Sequence, residues 1–258
     1  MGLIDYIRLI KFRYHLTFLI TIIAALSFAD SISFSLFKSL LVLYLSFNVL
    51  LYGGIYAMND IADVKADKKH PLKRRRPIPC GKININNAKF FSVSFIVFGL
   101  LIGFLFFGAA ILYLHLIFLF INLFYTFIAK KIAYLELIIN GSTHTLRFLM
   151  GVLLVKGSVS YLFLLAFWLL AFGIACVRRS VEKDVKGWEA RPTLKFYSKK
   201  KMIFLICLAF SFILFLALAD IYTLKILYAI VIFFYIISVF GIFFSKNIRS
   251  FYRLCWTQ

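Results

Sequence analysis

The stretch NDIADVKAD occupies residues 59–67 and directly follows an apolar run at residues 38–58. Its three carboxylates stand at positions i, i+3 and i+7, and on a helix of ~100° per residue they fall within an arc of about 60°. Carboxylates at this spacing repel each other unless a cation lies between them. Mg2+ takes oxygen ligands, usually one or two carboxylates together with substrate phosphates. The stretch therefore predicts a magnesium–diphosphate site at a membrane surface. Its candidate metal ligands are Asn59, Asp60, Asp63 and Asp67, of which Asp60 and Asp63 are also the candidate catalytic residues.

The chain immediately downstream is strongly cationic, with KKHPLKRRRPIPCG at residues 68–81. Arginine binds phosphate oxygens in a bidentate manner, and lysine binds them as a point charge. Because this charge lies beside the aspartates, we expect Lys73 and Arg76 to bind substrate phosphates. The alternative explanation of the same charge is a signal for membrane orientation alone.

The composition predicts a membrane protein. Of the 258 residues, 63% are hydrophobic and 19% aromatic, whereas about half of an ordinary soluble domain is apolar. The first apolar segment is expected to be a permanent span and not a cleaved signal peptide. We predict an all-α polytopic protein with eight spans, each near the ~20 residues that cross a bilayer: roughly 15–30, 38–58, 88–108, 111–129, 135–155, 160–177, 203–220 and 224–244.

The placement of charge predicts the orientation of these spans. The formal net charge is +20, and 25 of the 30 Lys and Arg residues lie in alternate connecting segments: 1–14, 59–87, 130–134, 178–202 and 245–258. The positive-inside rule puts these segments, and with them the N-terminus and the candidate site, in the cytosol. Charge in loops between spans favours contacts with anionic membrane lipids, so we do not expect a nucleic-acid partner.

The second long loop, residues 178–202, opens with its own charged group. Arg178 and Arg179 stand four and three residues before Glu182, so the three side chains share a helical face. One interpretation is a surface ion pair that contributes little to stability. The other is a second phosphate or metal site opposite the first loop, 59–87.

Three further residues are candidates for substrate binding. Arg147 lies inside the fifth predicted span, where a charged side chain usually faces a polar cavity or a partner. Tyr125 could contact substrate, although core packing is the simpler explanation on a Phe-rich helix. Lys130 is a candidate for substrate contact, but with Lys131 it could instead form an interfacial ion pair with Glu136.

Taken together, these motifs resemble the UbiA superfamily of intramembrane prenyltransferases. The resemblance covers nearly the whole chain and rests on NDxxDxxxD after the second span, a basic RPIxxG loop and a second charged loop. One branch, that of decaprenyl-phosphate phosphoribosyltransferase, is more similar. Four stretches carry this similarity: HPLKRRRPI at residues 70–78 (HPxKxxRPI), Glu136 with Arg147-x-x-x-Gly151, RRSVE at residues 178–182 (KRxxE) and RPTLKFY at residues 191–197 (RxxLxxY).

The resemblance implies one UbiA-like transmembrane domain over residues 1–258, in the cell membrane. It implies nine helices around a central cavity open to the cytosol, one helix more than the eight predicted spans. It further implies Mg2+-dependent transfer of 5-phosphoribose from phosphoribosyl diphosphate to a polyprenyl phosphate. The implied roles are Mg2+ and diphosphate binding by Asn59, Asp60, Asp63 and Asp67, and phosphate binding by Lys73, Arg76, Arg178 and Arg179. Glu182, the third candidate catalytic residue, would orient the ribose or the arginines.

Two alternatives stay open. Asp184 and Glu189 leave room for a second aspartate-rich site, as in family members that move a polyprenyl group from its diphosphate to an aromatic or glycerol-phosphate lipid acceptor. A lipid phosphate acceptor is already anionic and needs no general base, and the sequence has no obvious one, which favours the phosphate acceptor. A transporter would need polar residues near the bilayer midplane, whereas Arg147 is the deeply placed charge here.

The orientation can be tested with single cysteines placed at Asn84 and Ser198 in a variant that lacks the native cysteines. Both positions lie in predicted cytosolic loops, so a membrane-impermeant maleimide should label them in inside-out vesicles but not in intact cells. Labelling of either position from outside would invert the orientation predicted by the positive-inside rule.

Overall fold

The computed structural model describes residues 2–69, 73–184, 192–221, 225–245 and 247–250, and these residues contain helices and no strands. A helix bonds its backbone amide and carbonyl groups within one segment, which a chain in hydrocarbon requires because no water is there to do so. The predicted all-α class is confirmed. The α-helices are α1 (Leu3–Ile10), α2 (Leu19–Phe28), α3 (Phe34–Leu43), α4 (Gly53–Ala62), α5 (Val64–Lys69), α6 (Ile85–Phe127), α7 (Leu135–Leu154), α8 (Tyr161–Glu182), α9 (Lys199–Ala219), α10 (Lys225–Tyr235) and α11 (Ile242–Phe244).

Shorter 3-10 and π-helical segments connect several of these helices. The 3-10 segments are Phe12–Phe18, Lys73–Arg75, Ala129–Lys131 and Pro192–Phe196, and the π-helical segments are Tyr44–Tyr52 and Ile236–Gly241. Because the first π-helical segment joins α3 to α4, the second span runs without a gap from Phe34 to Ala62.

Within the described residues, seven helical stretches are long and apolar enough to cross a membrane, so the protein is a multi-pass membrane protein. They are Ile4–Phe28, Phe34–Ala62, Ile85–Lys131, Leu135–Leu154, Tyr161–Glu182, Lys199–Ala219 and Lys225–Phe244. The third stretch contains both the third and the fourth predicted spans. With its two halves counted separately, the described chain has the eight predicted spans and not the nine that the resemblance implies.

The division of the third stretch occurs at Gly108. The 43 residues of α6 would extend about 65 Å as a straight helix, roughly twice the ~30 Å thickness of the hydrocarbon core. Gly108 has φ 72° and ψ −162°, which is not helical. A Cβ atom on Gly103 would lie 3.2 Å from Nε2 of His115, although a straight helix would separate these residues by about 18 Å. The chain therefore reverses direction at Gly108.

The chain forms two compact units, and α7 contributes to both of them. The first unit comprises Met1–Phe127 and Leu146–Ser158, and the second comprises Ile128–Thr145 and Val159–Gln258. The single domain predicted for residues 1–258 stays a prediction.

Small residues bring helices close together in the first unit. A Cβ atom on Gly54 of α4 would lie only 2.7 Å from the carbonyl oxygen of Ser92 on α6. The Ser92 hydroxyl donates to the carbonyl oxygen of Gly54 at 2.7 Å. Close backbone approach at small residues is the usual basis of helix packing in membranes. This contact holds the helix that carries the aspartate stretch against α6.

In the second unit, α8 packs against α9 and α10. Tyr235 of α10 lies so close to α8 that a Cβ atom on Gly173 would be 2.7 Å from its hydroxyl. The same hydroxyl donates to the carbonyl oxygen of Ile206 on α9 at 2.7 Å. Phe163 and Tyr228 meet edge to face at 5.2 Å. These contacts position the end of α8, where Arg178, Arg179 and Glu182 lie.

Substitution of Gly108 by alanine should destabilise the protein by about 1–3 kcal/mol, because its backbone conformation is essentially restricted to glycine. Nothing lies within 4 Å of the position that a Cβ atom would occupy, so the loss would come from backbone strain and not from a clash. Gly241→Ala is the matched control, since Gly241 is helical (φ −57°) and a Cβ atom there makes ordinary contacts at 3.5 Å. Unfolding of both variants in detergent with increasing SDS measures the difference, and equal stability would contradict the role of Gly108.

Candidate active site

The aspartate stretch begins on α4 and continues beyond its end. Asn59 and Asp60 lie in the last turn of α4, which ends at Ala62, and Asp63 leaves the helical conformation with φ −93° and ψ 0°. Asp67 lies on the next helix, α5. The sequence pattern had suggested one continuous helix, and this is corrected by the break at Asp63.

Hydrogen bonds preserve the helical spacing through this break. The amide of Asp63 donates to the carbonyl oxygen of Asn59 at 3.0 Å, and the amide of Asp67 donates to that of Asp63 at 2.8 Å. The backbone thus keeps the i,i+4 connections of a helix on both sides of Asp63. As a result, Asp60 and Asp67 still approach a common point.

That common point is the guanidinium group of Arg76. Its Nη1 atom donates to Oδ1 of Asp60 at 2.9 Å and to Oδ2 of Asp67 at 2.8 Å. The side chains of Asp60 and Asp67 are 2% and 4% exposed, and that of Arg76 is 24% exposed. The basic residue expected to bind phosphate therefore pairs with both buried carboxylates in this structure.

Lys11 is a second cation at this point, and the sequence pattern did not identify it. Its Nζ atom lies 2.6 Å from Oδ1 of Asp60 and 5.0 Å from the centre of the Tyr56 ring. Lys11 lies between α1 and the 3-10 segment, with φ 56° and ψ 57°. The segment Ile4–Phe28 also carries Asp5, Arg8 and Arg13, so its charge pattern did not single out Lys11.

The charges of this cluster are nearly balanced. Burial raises the pKa of Asp67, and the positive charges of Arg76 and Lys73 offset part of that increase. Lys73 is the more distant of the two, with Nζ 4.0 Å from Oδ1 of Asp67. Because the Lys73 side chain is 46% exposed, solvent screening weakens its attraction for Asp67.

The donor atoms of this cluster fit Mg2+ bound together with a diphosphate. Asp60 and Asp67 each place a carboxylate oxygen within 2.9 Å of one arginine nitrogen, so both can reach a single ion near that position. Two carboxylates completed by phosphate oxygens are a common environment of Mg2+. In the described part of the chain, no group of three or more His, Cys, Asp or Glu side chains is arranged to hold a metal ion. Asn59 and Asp63 are half-buried, and their role as metal ligands stays a prediction.

An aromatic group lies one and two helical turns before Asp60. The Tyr56 hydroxyl donates to the Tyr52 hydroxyl at 2.6 Å. The guanidinium group of Arg147 lies 4.6 Å from the Tyr52 ring and 4.7 Å from the Phe118 ring. Arg147 is 1% exposed, and cation–π contacts of this kind stabilise a desolvated charge. Arg147 thus has aromatic neighbours in the first unit, consistent with the expectation that an intramembrane arginine has a partner.

The second charged cluster lies in the second unit, at the end of α8. Arg179 is 2% exposed, and its Nε atom donates to Oε1 of Glu136 at 3.1 Å. Its Nη1 atom donates to Oε2 of Glu182 at 2.5 Å, which confirms the predicted helical pairing. The surface ion pair considered from the sequence is wrong for Arg179, because its guanidinium group is buried.

Glu136 is the centre of this cluster and is fully buried. Its Oε1 atom accepts hydrogen bonds from the hydroxyl groups of Tyr197 at 2.7 Å and Thr193 at 3.4 Å, in addition to that from Arg179. Burial and the adjacent Glu136 carboxylate raise the pKa of Tyr197, so its hydroxyl keeps its proton and acts as a donor. The sequence had suggested an interfacial position for Glu136, which is corrected by its complete burial.

The remaining candidates occupy less definite positions. Arg178, Tyr125 and Lys130 are half-buried, Tyr125 near the end of α6 and Lys130 in the following 3-10 segment; their substrate contacts stay predictions. Asp184 is exposed and pairs with Arg249 at 2.6 Å. Glu189, Arg191 and residues 70–72 lie outside the described residues, so the second aspartate-rich site and part of the HPxKxxRPI stretch have no structural description.

Comparison with known proteins identifies similar sequences and folds. A model of the UbiA prenyltransferase family matches residues 18–254. The chain is 35% identical over 98 residues to the digeranylgeranylglyceryl phosphate synthase of Methanocaldococcus jannaschii, covering 38% of this chain and 33% of that protein. It is 28% identical over 170 residues to the decaprenyl-phosphate phosphoribosyltransferase of Corynebacterium glutamicum, covering 62% and 50%. The matched region thus spans between a third and a half of these relatives.

Solved structures share the fold over nearly the whole chain. A UbiA homolog from Archaeoglobus fulgidus bound to GPP and Mg2+ has a TM-score of 0.78 at 17% identity, covering 97% of this chain and 95% of that chain. A structure of digeranylgeranylglyceryl phosphate synthase has a TM-score of 0.72 at 23% identity, covering 98% and 91%.

Substitution of Glu136 by alanine should destabilise the protein by about 3–5 kcal/mol, because it removes one partner of a buried ion pair. A control is Asp184→Ala, which removes an exposed carboxylate, 47% exposed, from its pair with Arg249 and should cost less than about 1 kcal/mol. SDS-induced unfolding of the purified variants measures both changes. Equal losses in the two variants would show that burial of Glu136 has no special effect on stability.

Proposed function

The chain belongs to the UbiA prenyltransferase family, and from this premise we propose that it is a Mg2+-dependent membrane transferase that moves 5-phosphoribose from phosphoribosyl diphosphate to a polyprenyl phosphate. The convergence of Asp60 and Asp67 on Arg76, at the end of a membrane span, carries the diphosphate part of this proposal. A metal–diphosphate site explains two buried carboxylates beside one arginine better than a purely structural role does. A buried ion pair that serves structure alone is often no more stable than apolar residues in its place.

The second cluster supports phosphoribose as the transferred group. Three separate stretches resemble the phosphoribosyltransferase branch: the one that contains Glu136, the one at residues 178–182 and the one at residues 191–197. In the structure, Arg179 and Tyr197 both bind the same oxygen of Glu136. Hydrogen bonds therefore connect the three stretches into one cluster. We propose that this cluster orients Arg178 and Glu182 for binding the polar donor.

Each group would have a distinct task in the transfer. Asp60 and Asp67, with Asn59 and Asp63, would hold Mg2+, which when bound stabilises the negative charge on the departing diphosphate. Arg76 would bind phosphate oxygens through charge-assisted hydrogen bonds, with Lys73 beside it. An oxygen of the lipid phosphate would form a bond to the ribose carbon as the bond from that carbon to diphosphate breaks. The lipid phosphate is already anionic, so this chain need not supply a base.

The aromatic group of the first unit would protect the reacting carbon from water. Tyr56 and Tyr52 lie one and two turns from Asp60 on the same helical face, and Phe118 adjoins Tyr52 at 5.3 Å. A positively charged carbon is captured by water unless the surroundings exclude it. An aromatic wall would serve an oxocarbenium-like ribose and an allylic cation equally well.

A second candidate function is therefore transfer of a prenyl group from its diphosphate to a glycerol-phosphate lipid or an aromatic acceptor. The observation that favours it is the 35% identity to an archaeal digeranylgeranylglyceryl phosphate synthase over 98 residues. Both candidates use the same metal–diphosphate group at Asp60 and Asp67. They differ in whether the donor carries charge at one end or at both ends.

The deciding experiment supplies the purified protein with two donor–acceptor pairs in parallel. One pair is labelled phosphoribosyl diphosphate with polyprenyl phosphate, and the other is labelled geranylgeranyl diphosphate with glycerol-phosphate lipid or aromatic acids. We expect a lipid-linked phosphoribose product in the first. Arg178→Ala should raise KM for phosphoribosyl diphosphate about ten- to a hundred-fold, since a lost charge-assisted hydrogen bond costs about 1.5–3 kcal/mol. Product from the prenyl donor alone would reject the phosphoribosyl proposal and leave the family membership intact.

The same assay tests the aspartates. Asp60→Asn and Asp63→Ala should each abolish transfer, because each removes a metal ligand. The amide introduced by Asp60→Asn keeps an oxygen that can accept from Lys11 and Arg76, so the protein should stay folded. Asp30→Ala is the control, since Asp30 is an exposed carboxylate between α2 and α3. Turnover near the wild-type level in either of the first two variants, or full activity with excess chelator, would refute the magnesium role.

A further inference from the structure

Lys11 and Arg76 lie against the carboxylate oxygens that would bind a metal ion in the proposed function. Both donate to the same oxygen of Asp60, at 2.6 Å and 2.9 Å, and Arg76 also donates to Asp67. We name Lys11 and Arg76 the counter-cation pair. It neutralises the aspartates from two distant parts of the chain, 49 and 16 residues from Asp60.

The counter-cation pair opposes binding of a divalent ion on its own. An ion that approaches Asp60 and Asp67 meets two positive side chains within hydrogen-bond distance of the same oxygens, so it must displace them or bind beside them. Displaced cations in a site this buried need new anionic partners, because unpaired charge is costly away from water. The carboxylates of Asp60 and Asp67 cannot bind the metal and keep all their hydrogen bonds to Lys11 and Arg76 through the same oxygens.

A diphosphate supplies those new partners. Resting on the proposed function, we propose that Lys11 and Arg76 transfer from the aspartates to the diphosphate of the donor, and that Mg2+ therefore binds tightly only together with the diphosphate. The metal and the diphosphate would each raise the affinity of the protein for the other by the same factor, as linkage requires. Lys11 becomes a further residue of the site, with a role in both the metal-free and the loaded protein.

The position of Lys11 supports a functional role for this contact. Its backbone has φ 56°, in the left-handed region that lysine rarely adopts, at the junction of α1 and the following 3-10 segment. Non-glycine residues in this region persist where the surrounding structure over-determines them, often at binding sites. The side chain is only 12% exposed, although a lysine at the end of a short helix could readily extend into solvent.

The test measures metal binding and not turnover. The full chain in detergent micelles is dialysed against Mn2+ as the probe, with and without inorganic diphosphate, and the protein-free chamber fixes the concentrations of Mn2+ and of its diphosphate complex. Wild-type protein should bind Mn2+ at least ten-fold more tightly when diphosphate is present. Arg76→Gln should bind Mn2+ without diphosphate at least ten-fold more tightly than wild-type protein and lose most of the enhancement by diphosphate. Lys11→Gln should shift in the same direction.

Arg75→Gln is the matched control. Arg75 is exposed on the same loop, so its replacement removes the same charge without removing either member of the counter-cation pair, and Mn2+ binding should match that of the wild type. Asp60→Asn should lose Mn2+ binding under both conditions. Folding of each variant is checked by size-exclusion chromatography, and Lys11→Gln provides the test if Arg76→Gln does not fold.

The outcomes separate this proposal from the proposed function. If wild-type protein binds Mn2+ equally well with and without diphosphate, the coupling is overturned while the metal site stands. If Arg76→Gln and Arg75→Gln tighten Mn2+ binding equally, the effect is one of net charge and the counter-cation pair is overturned. If wild-type protein binds no Mn2+ even with diphosphate, the metal site of the proposed function fails, and this proposal fails with it.

Discussion

A charged side chain in a membrane-spanning protein must have a partner, because hydrocarbon cannot solvate it and desolvation costs several kcal/mol. The described residues satisfy this constraint in three ways. Asp60 and Asp67 share the guanidinium group of Arg76, Glu136 holds Arg179, and Arg147 lies against aromatic rings. The helices can therefore carry charge into a largely apolar structure.

The same constraint explains why the candidate site is not a preformed metal cage. The buried carboxylates of Asp60 and Asp67 would be unstable without compensating charge, and Arg76 and Lys11 supply it. The break in the helix at Asp63 separates Asp60 and Asp67 onto α4 and α5, yet both still reach Arg76. Under the proposed coupling, such a site would exchange internal ion pairs for a metal and a diphosphate, and it would not have to desolvate bare carboxylates when the substrate arrives.

Glu136 has a different role in the second unit. Its carboxylate joins α7, the end of α8 and the segment that contains Thr193 and Tyr197. Since Arg179 is held by Glu136 and Glu182, its guanidinium group acts first as an internal cation, and the half-buried Arg178 is the better candidate for direct contact with phosphate. The effect of Arg179 on substrate binding would then be indirect, through the position of the last turn of α8.

Local sequence pattern was sufficient for much of this description. The lengths of apolar runs predicted the helical class and the membrane spans, because crossing a bilayer sets a minimum number of apolar residues. Helical spacing predicted that Asp60 and Asp67 share a face and that Arg179 pairs with Glu182, because contacts between residues three or four apart follow from helix geometry. The reversal at Gly108 was implicit in two predicted spans separated by only two residues.

The contacts that define the two clusters depended on the folded chain. Lys11 and Asp60 are 49 residues apart, Glu136 and Arg179 are 43 apart, and Glu136 and Tyr197 are 61 apart. Helical periodicity relates residues within a few turns and carries no information about which turn of a distant helix lies alongside. The choice of Arg76 and Lys11 as partners of Asp60, and the burial of Glu136 that makes it a central residue, come from the packing of helices that are far apart in the chain.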